Sequence, residues 1–376
     1  MKSPNLTIEQ DLLISPARLA DWLQNQKEVY ILDVRSKAER RDWLIPESRH
    51  LDIYNELKSG HSKTLEHLDL PEDRPIVTVC GAGKTSLSAA RQLREKGLDA
   101  YSLDSGMKAW NFAWDTAEVT LANDLTIIQV RRVAKGCLSY IIGSGDDAVV
   151  IDASLDPKIY KNLARENRWT IRYVMDTHLH ADYVSRSREL AEAVGADYLL
   201  YRQADTEFPF TPLDDHQEIT FGNTAIKALH TPGHTPESLS FLIEGEALFT
   251  GDTLFTNGVG RPDLKADRQQ AMRKAEQLYE SLQKLLSLEE NTRVLPAHIA
   301  RSVRMGEPVI FATIGELSGS LDLLGLPKKQ FLQEVVSRIP PTPANYQTIS
   351  SLNRKGSHDG HDLEQLEAGA NRCAVG

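Results

Sequence analysis

Cysteine is scarce in this chain: Cys80, Cys137 and Cys373 are the only three in 376 residues. Thiols so widely scattered make no disulfide framework, which points to a reducing cytoplasm and makes the reactivity of each cysteine a separate question. Long apolar runs are lacking too. None approaches the roughly 20 residues that span a bilayer, so no membrane partner is expected. The opening stretch MKSPNLTIEQDLLISPARLADWL has no basic segment followed by an unbroken apolar core, so no signal peptide is expected. Positive charge is in deficit, with 43 Lys and Arg against 53 Asp and Glu for a net charge of -10. Such a surface repels phosphates and argues against a nucleic-acid partner. Internal repeats and low-complexity segments are also absent. The remaining composition, 41% hydrophobic and 26% charged, is that of a soluble globular chain long enough for two domains.

Two patterns follow one another along the chain. From Val29 to Ser102 the β-type runs VYILDV, IVTVC and DAYSLD alternate with helix-like segments such as AARQLREKG, as in a small α/β unit with a parallel sheet. Past Trp114 the runs LTIIQVRRV, CLSYIIGS and AVVIDAS are separated by Gly or Asp turns, as in a β-meander. TIRYVMDTH then leads into the helix VSRSRELAEAVGA, closed by glycine. Strands TAIKALH, LSFLI and ALFTGD precede an amphipathic helix from about Ala266 to Leu286, and RVLPAH is the last strand. This places a border near residue 120, with domains at 8–118 and 122–355 joined by a short stretch over 114–123, and a polar tail at 356–376.

The stretch TVCGAGKTS, Thr78 to Ser86, imitates a phosphate loop. The pattern G-x-x-x-x-G-K-[ST] would need glycine at Thr78, which excludes a nucleotide site. A phosphatase of the Cys-x5-Arg type would need arginine at Ser86. What remains is a cysteine ending a strand, a glycine-rich turn, and a helix expected from about Ser86. Backbone N–H groups in such a turn stabilise a thiolate or persulfide anion. With LDVRSKAE (Leu32–Glu39) and LDSGMKAW (Leu103–Trp110), this loop resembles the rhodanese sulfurtransferases over roughly residues 10–115. The resemblance implies that Cys80 carries a persulfide cradled by Gly81, Ala82, Gly83, Lys84 and Thr85, with Lys84 favouring anionic donors. DWLIPES, Asp42–Ser48, departs from the family's G-H-I-P-G-A and touches only a peripheral packing contact. Cys137, in GCLSYII, reads as plain core.

Four further motifs end strand runs: THLHADY (Thr177–Tyr183), TPGHTPES (Thr231–Ser238), FTGD (Phe249–Asp252) and LPAH (Leu295–His298). Histidines and carboxylates distant in sequence can therefore meet on one rim of a sheet and bind metal. These motifs resemble the metallo-β-lactamase superfamily, an αβ/βα sandwich, over roughly residues 124–300. The superfamily's H-x-H-x-D-H ends here in Tyr183, a poor ligand at neutral pH, which disfavours a full second metal site. Two histidines and one carboxylate suit a mononuclear Fe(II) with open positions. Within the superfamily the chain resembles the persulfide dioxygenases, also called sulfur dioxygenases. That likeness implies ligands His178, His234 and Asp252, with His180, Asp182, Tyr183 and His298 around them or as the remnant of a second site. Arg261, in GVGRPDL, is expected either to bind the thiol carrier or to brace the site through Asp263.

The two resemblances together imply an enzyme that oxidises a small-molecule persulfide, glutathione persulfide above all, with O2 to sulfite, and moves sulfane sulfur through Cys80 toward a thiol or thiosulfate. Family likeness also implies a homo-oligomer. Two alternatives stand beside this reading: a zinc thioester hydrolase of glyoxalase II type, and a non-oxidising sulfur relay or sensing module. The tail, with His358, His361 and Cys373, is expected to be solvated, a lid or subunit-contact role for Cys373 being the minor alternative.

Overall fold

The computed structural model describes residues 11–121, 125–264, 266–343 and 345–376. The expected domain start at residue 8 and residues 122–124 of the connecting stretch lie outside them. Among the described residues no helix is long and apolar enough to cross a membrane.

The first unit is an all-parallel sheet in the order Leu13–Ile14, Ala100–Leu103, Ile76–Val79, Tyr30–Asp33 and Arg49–His50. Its central strand, IVTV, is buried at every position, as expected where helices cover both faces. The helix Lys84–Glu95 presses Ala89 and Leu93 onto that sheet. It starts at Lys84, two residues before the expected place, because Gly83 adopts φ 80° and turns the chain directly into the helix.

The second unit is a sandwich of two sheets. The seven-stranded sheet runs from Thr211–Leu213 at one edge, through Thr170–Met175, Asp147–Ile151 and Leu138–Ser144, to Trp114–Thr120 at the other. The six-stranded sheet contains Thr224–His230, Leu239–Ile243, Ala247–Gly251 and Arg293–Pro296. Ile127, Tyr140, Ile142, Phe241, Phe249 and Leu295 belong to the apolar core that the sheets share. Helices Pro157–Glu166 and Ser187–Val194 cover one outer face, and Arg268–Leu286 covers the other. Each helix faces the sheets with its apolar side. The αβ/βα architecture read from the motifs is the one found.

Two expectations are corrected. Residues 114–120 are not a connector: Trp114–Thr120 pairs with Thr126–Arg132 at seven positions and is the edge strand of the second unit. Nor is 356–376 a solvated tail. Leu363–Leu366 forms a short helix, and Ala374–Val375 pairs antiparallel with Gly258–Gly260. Glu367, Asn371 and Cys373 are buried between them. Glu367 is the anchor, with Oε2 at 2.5 Å from the buried Arg132 guanidinium and Oε1 accepting from Val184 N at 3.1 Å. Its carbonyl accepts from Lys135 Nζ at 2.9 Å and from Asn111 Nδ2 of the first unit at 3.0 Å. Arg372 adds an ion pair to Asp42 at 3.1 Å. The last residues thus fasten the two units together.

Removing one partner of a buried ion pair leaves the other charge uncompensated. Glu367→Ala should destabilise the protein by about 3–5 kcal/mol, read as a lower midpoint in denaturant unfolding. A midpoint unchanged from wild type would show that Arg132 finds another partner.

Candidate active sites

Cys80 follows the buried strand Ile76–Val79 directly and is itself buried. Its sulfur accepts from Ser86 Oγ at 3.1 Å, and Ser86 Oγ accepts from Ser102 Oγ at 2.9 Å. Burial opposes the thiolate. The Ser86 hydroxyl and the backbone N–H groups of Ser86 and Ala82 outweigh it and hold the thiol below its ordinary pKa. Gly106 explains the second rhodanese-like motif: at φ +60° it passes so close that a Cβ there would lie 2.2 Å from Cys80 O. Met107 N and Lys108 N then donate to Cys80 O and Gly81 O at 2.9 and 3.1 Å. In the first motif Arg35 is bidentate on Asp33 at 3.0 and 2.7 Å, a buried brace. The departing stretch Asp42–Ser48 joins that brace through Arg40, which donates to Asp33 Oδ2 at 2.9 Å and to Ser48 Oγ at 2.7 Å. Lys84 is exposed at the first helical position.

The second cluster lies where strands of both sheets end. His178, His180 and Asp182 follow Thr170–Met175; His234 follows Thr224–His230; Asp252 follows Ala247–Gly251; His298 follows Arg293–Pro296. All six are buried. Asp252 Oδ2 lies 3.7 Å from His178 Nε2 and 3.5 Å from His234 Nε2, and the three donors form one compact group. Neither His178 Nε2 nor Asp252 Oδ2 has a hydrogen-bond partner. Dry polar atoms left that way are costly, and a shared cation is what such a group can hold. Protonation agrees with ligation. Burial, with the charge of His180 beside it, pushes His178 well down, and burial with Lys274 pushes His234 down, so both rings are neutral. Burial alone would raise Asp252, but the neighbouring His298, itself pushed well up by Asp182 and Asp252 against the effect of burial, holds it well below the carboxylate range.

Second contacts aim these rings. His178 Nδ1 lies 3.0 Å from Thr177 Oγ1, which donates to Asp152 at 2.9 Å. His234 Nδ1 lies 2.9 Å from Arg261 O. Each contact turns Nε2 toward the cluster. His180 Nε2 faces Asp152 Oδ1 at 3.1 Å and the Tyr183 hydroxyl at 2.8 Å. That hydroxyl also donates to Asp152 O at 3.2 Å, and burial next to Asp152 and Asp176 raises its pKa well above 10. Tyr183 is therefore a neutral phenol pointed away from Asp252. His298 bridges two acids, with Nδ1 2.6 Å from Asp252 Oδ1 and Nε2 2.9 Å from Asp182 Oδ2. Gly260 has no room for a side chain, since a Cβ there would lie 2.0 Å from Asp252 O and 3.1 Å from His234 Cβ.

Arg261 pairs with Asp263, as one half of its expectation has it. Its guanidinium is buried, bidentate on Asp263 at 2.8 and 2.9 Å, and donates to Pro340 O and Arg372 O. The group braces the loop carrying His234's partner carbonyl. Open space lies instead in a cleft of about 440 Å³ with His234 in its wall, together with Glu237, Arg273, Tyr346 and Arg354. Sequence reading passed over two groups. Asp152 ends a strand run as the predicted ligands do and was findable by the same rule. Asn353 ties the His180 loop down, donating to His180 O and Tyr183 O at 2.8 Å each, with no local signal. Cys137 is core as expected, but its sulfur is 3.6 Å from Asp182 Oδ2.

Comparison with known proteins places these two clusters. The rhodanese-like domain family matches residues 15–113, and the metallo-beta-lactamase superfamily matches residues 132–298. The mitochondrial persulfide dioxygenase ETHE1 of Bos taurus is 30% identical over 211 residues, covering 52% of this chain and 80% of that protein. A hydroxyacylglutathione hydrolase of Francisella philomiragia is 35% identical over 162 residues, covering 42% of this chain and 61% of the hydrolase. The chain therefore spans about three fifths of the length of that hydrolase. Among solved structures, ETHE1 from Myxococcus xanthus aligns at a TM-score of 0.52 and 26% identity over 65% of this chain and 100% of its own. A metallo-beta-lactamase from Staphylococcus aureus aligns at 0.55 and 26% over 65% and 73%.

A thiol with a depressed pKa alkylates at lower pH than free cysteine. The pH profile of Cys80 alkylation by iodoacetamide, followed by peptide mass spectrometry, should have its midpoint below the free-thiol value. Ser86→Ala should move that midpoint up by about one to two pH units, the worth of one hydrogen bond to a charged sulfur. Coincident profiles for wild type and variant would remove Ser86 from this role.

Proposed function

Because the chain belongs to the metallo-beta-lactamase superfamily and carries a rhodanese-like domain ahead of that fold, we propose that it oxidises a low-molecular-weight persulfide to sulfite and transfers sulfane sulfur through Cys80. One persulfide, one O2 and one water give one thiol and one sulfite. Transfer of the outer sulfur of a Cys80 persulfide to sulfite gives thiosulfate and returns the thiol.

The observation that carries the first half is the His178, His234 and Asp252 group, two neutral imidazoles and one carboxylate, in which His178 Nε2 and Asp252 Oδ2 lack hydrogen-bond partners. A mononuclear Fe(II) held there supplies the redox chemistry with O2 that forming sulfur–oxygen bonds requires. The chain's own groups do the rest. Thr177 and the Arg261 carbonyl fix the imidazole tautomers. Tyr183 withholds its oxygen from the cluster. Arg273 and Arg354 in the cleft offer cationic contacts to a carboxylate-bearing thiol such as glutathione. At the other site the hydrogen bonds from Ser86 and the loop N–H groups stabilise the anion on Cys80 in both its thiolate and persulfide forms.

A second reading, a zinc thioester hydrolase, is favoured by the likeness to hydroxyacylglutathione hydrolases. Metal and substrate separate the two. Protein loaded anaerobically with Fe(II) should take up O2 with glutathione persulfide and release sulfite. His178→Ala and Asp252→Ala should lose bound iron and O2 uptake together, whereas Cys80→Ser should lose thiosulfate formation from sulfite. Zinc-loaded protein that cleaves an S-hydroxyacylglutathione, beside iron-loaded protein that takes up no O2, would establish the hydrolase instead. In the cleft, Arg273→Ala should raise KM for glutathione persulfide about tenfold with kcat unchanged, since an exposed charge contact binds ground and transition states alike. An unaltered KM would place the thiol carrier elsewhere.

A further inference from the structure

A carboxylate is laid against the turn that carries Cys80. A Cβ added to Gly81, the residue after the thiol, would lie 3.2 Å from Glu39 Oε1. Glu39 stands on the short helix Lys37–Asp42, which follows the strand Tyr30–Asp33. That strand runs parallel to Ile76–Val79, so the helix and the Cys80 turn leave the sheet at the same end. A reciprocal cap aims the side chain: Glu39 N donates to Ser36 Oγ at 3.3 Å, and Ser36 Oγ donates to Glu39 Oε2 at 3.0 Å. One oxygen is held by the cap and the other is left facing Gly81.

The nearby cations do not cancel this charge. Arg35 and Arg40 are both spent on Asp33, at 2.7 and 2.9 Å. Among the described residues Glu39 has no ion-pair partner, and it is exposed. Lys84, at the other end of the turn, is exposed at the first helical position and has no ion pair among the described residues, so its ammonium is not held over Cys80 as the Glu39 carboxylate is held over Gly81. Gly81 carries no side chain that could stand between that carboxylate and an incoming reagent.

Reagents that exchange sulfur with Cys80 differ in charge. A thiolate takes the outer sulfur as the sulfur–sulfur bond of the Cys80 persulfide breaks, which forms a new persulfide anion and leaves the Cys80 thiolate. Sulfite attacks the same sulfur, forms thiosulfate and leaves the same thiolate. Charge is conserved in both, but the reacting end of the thiolate brings one negative charge into the turn and sulfite brings two.

We propose that Glu39 sets the specificity of the Cys80 site: its carboxylate disfavours the doubly charged inorganic reagents, sulfite and thiosulfate, and leaves organic thiols and their persulfides as the preferred partners. The choice of partner rests on the reading of Cys80 as a sulfur carrier; the repulsion itself is measurable without it. A unit charge about 6 Å from the approach path in a wet mouth changes a rate about threefold for a singly charged reagent and about tenfold for a doubly charged one.

The test compares iodoacetamide, which is neutral, with iodoacetate, which is anionic. Full-length protein is alkylated with each at one pH, and modification of Cys80 is followed by peptide mass spectrometry. The ratio of the two rates cancels the thiolate fraction, so it reads the charge met on approach and not the pKa. Glu39→Gln keeps an oxygen for the Ser36 hydroxyl and should raise the iodoacetate-to-iodoacetamide ratio about threefold at low ionic strength, a gain that fades as salt is added. With Cys80 loaded as persulfide, the rate with sulfite relative to that with 2-mercaptoethanol, whose thiolate carries a single charge, should also rise about threefold in the variant. Coincident alkylation ratios for wild type and Glu39→Gln would overturn the proposal, as would a shifted alkylation ratio beside an unaltered preference between the two acceptors. A shifted alkylation ratio with no sulfur transfer in either protein would support the effect of Glu39 and remove the sulfur-carrier reading of Cys80 instead.

Discussion

A carboxylate taken out of water must be met by donors or by positive charge, and at the strand ends of the sandwich Asp252 is met by imidazoles on both sides. One oxygen is held by His298 at 2.6 Å; the other faces His178 and His234 at 3.7 and 3.5 Å. This division organises the site. The first oxygen fixes the orientation of His298, which in turn faces Asp182, while the second completes the three-donor group. Burial would favour a protonated acid, but the charged His298 outweighs it and keeps Asp252 anionic. The neutral state of His178 and His234 follows from the same burial acting on bases.

The C-terminal segment is the second constraint, and it serves both halves. Glu367 satisfies Arg132, receives Val184 N beside Tyr183, and offers its carbonyl to Asn111 of the first unit. Asn111 continues the helix Gly106–Trp110, whose first N–H groups hold the Cys80 loop. One buried residue, through its carboxylate and its backbone carbonyl, thus touches the supports of both reactive centres. At the far end, the pairing of Ala374–Val375 with Gly258–Gly260 brings Cys373 close to Asp252 and His298.

Much of this was legible before any coordinates. Parallel and meander patterns show in the spacing of apolar runs, because a strand covered on both faces must be apolar throughout, as Ile76–Val79 is. The metal-facing residues show because each polar side chain follows the last buried residue of a strand, where a sheet ends and a pocket begins. Trp114–Thr120 was harder. Only Asp115 in it is buried, and an edge strand half open to water carries no pattern distinct from a linker. The tail was misread because its buried groups, Glu367 and Asn371, are residue types that usually lie in solvent.

Sequence alone determined the donor chemistry: which side chains can bind a soft or borderline metal, which cysteine ends a strand before a glycine turn, and which position of the histidine motif holds a phenol. These are properties of residue type and local order along the chain. Tertiary structure alone decided partnership. That Arg261 reaches Pro340 and Arg372, that Cys137 stands beside His298, and that Ala374–Val375 pairs beside the strand-end cluster depend on contacts between segments tens to hundreds of residues apart. Burial and charge pairing are set by which surfaces meet, and no local pattern encodes that meeting.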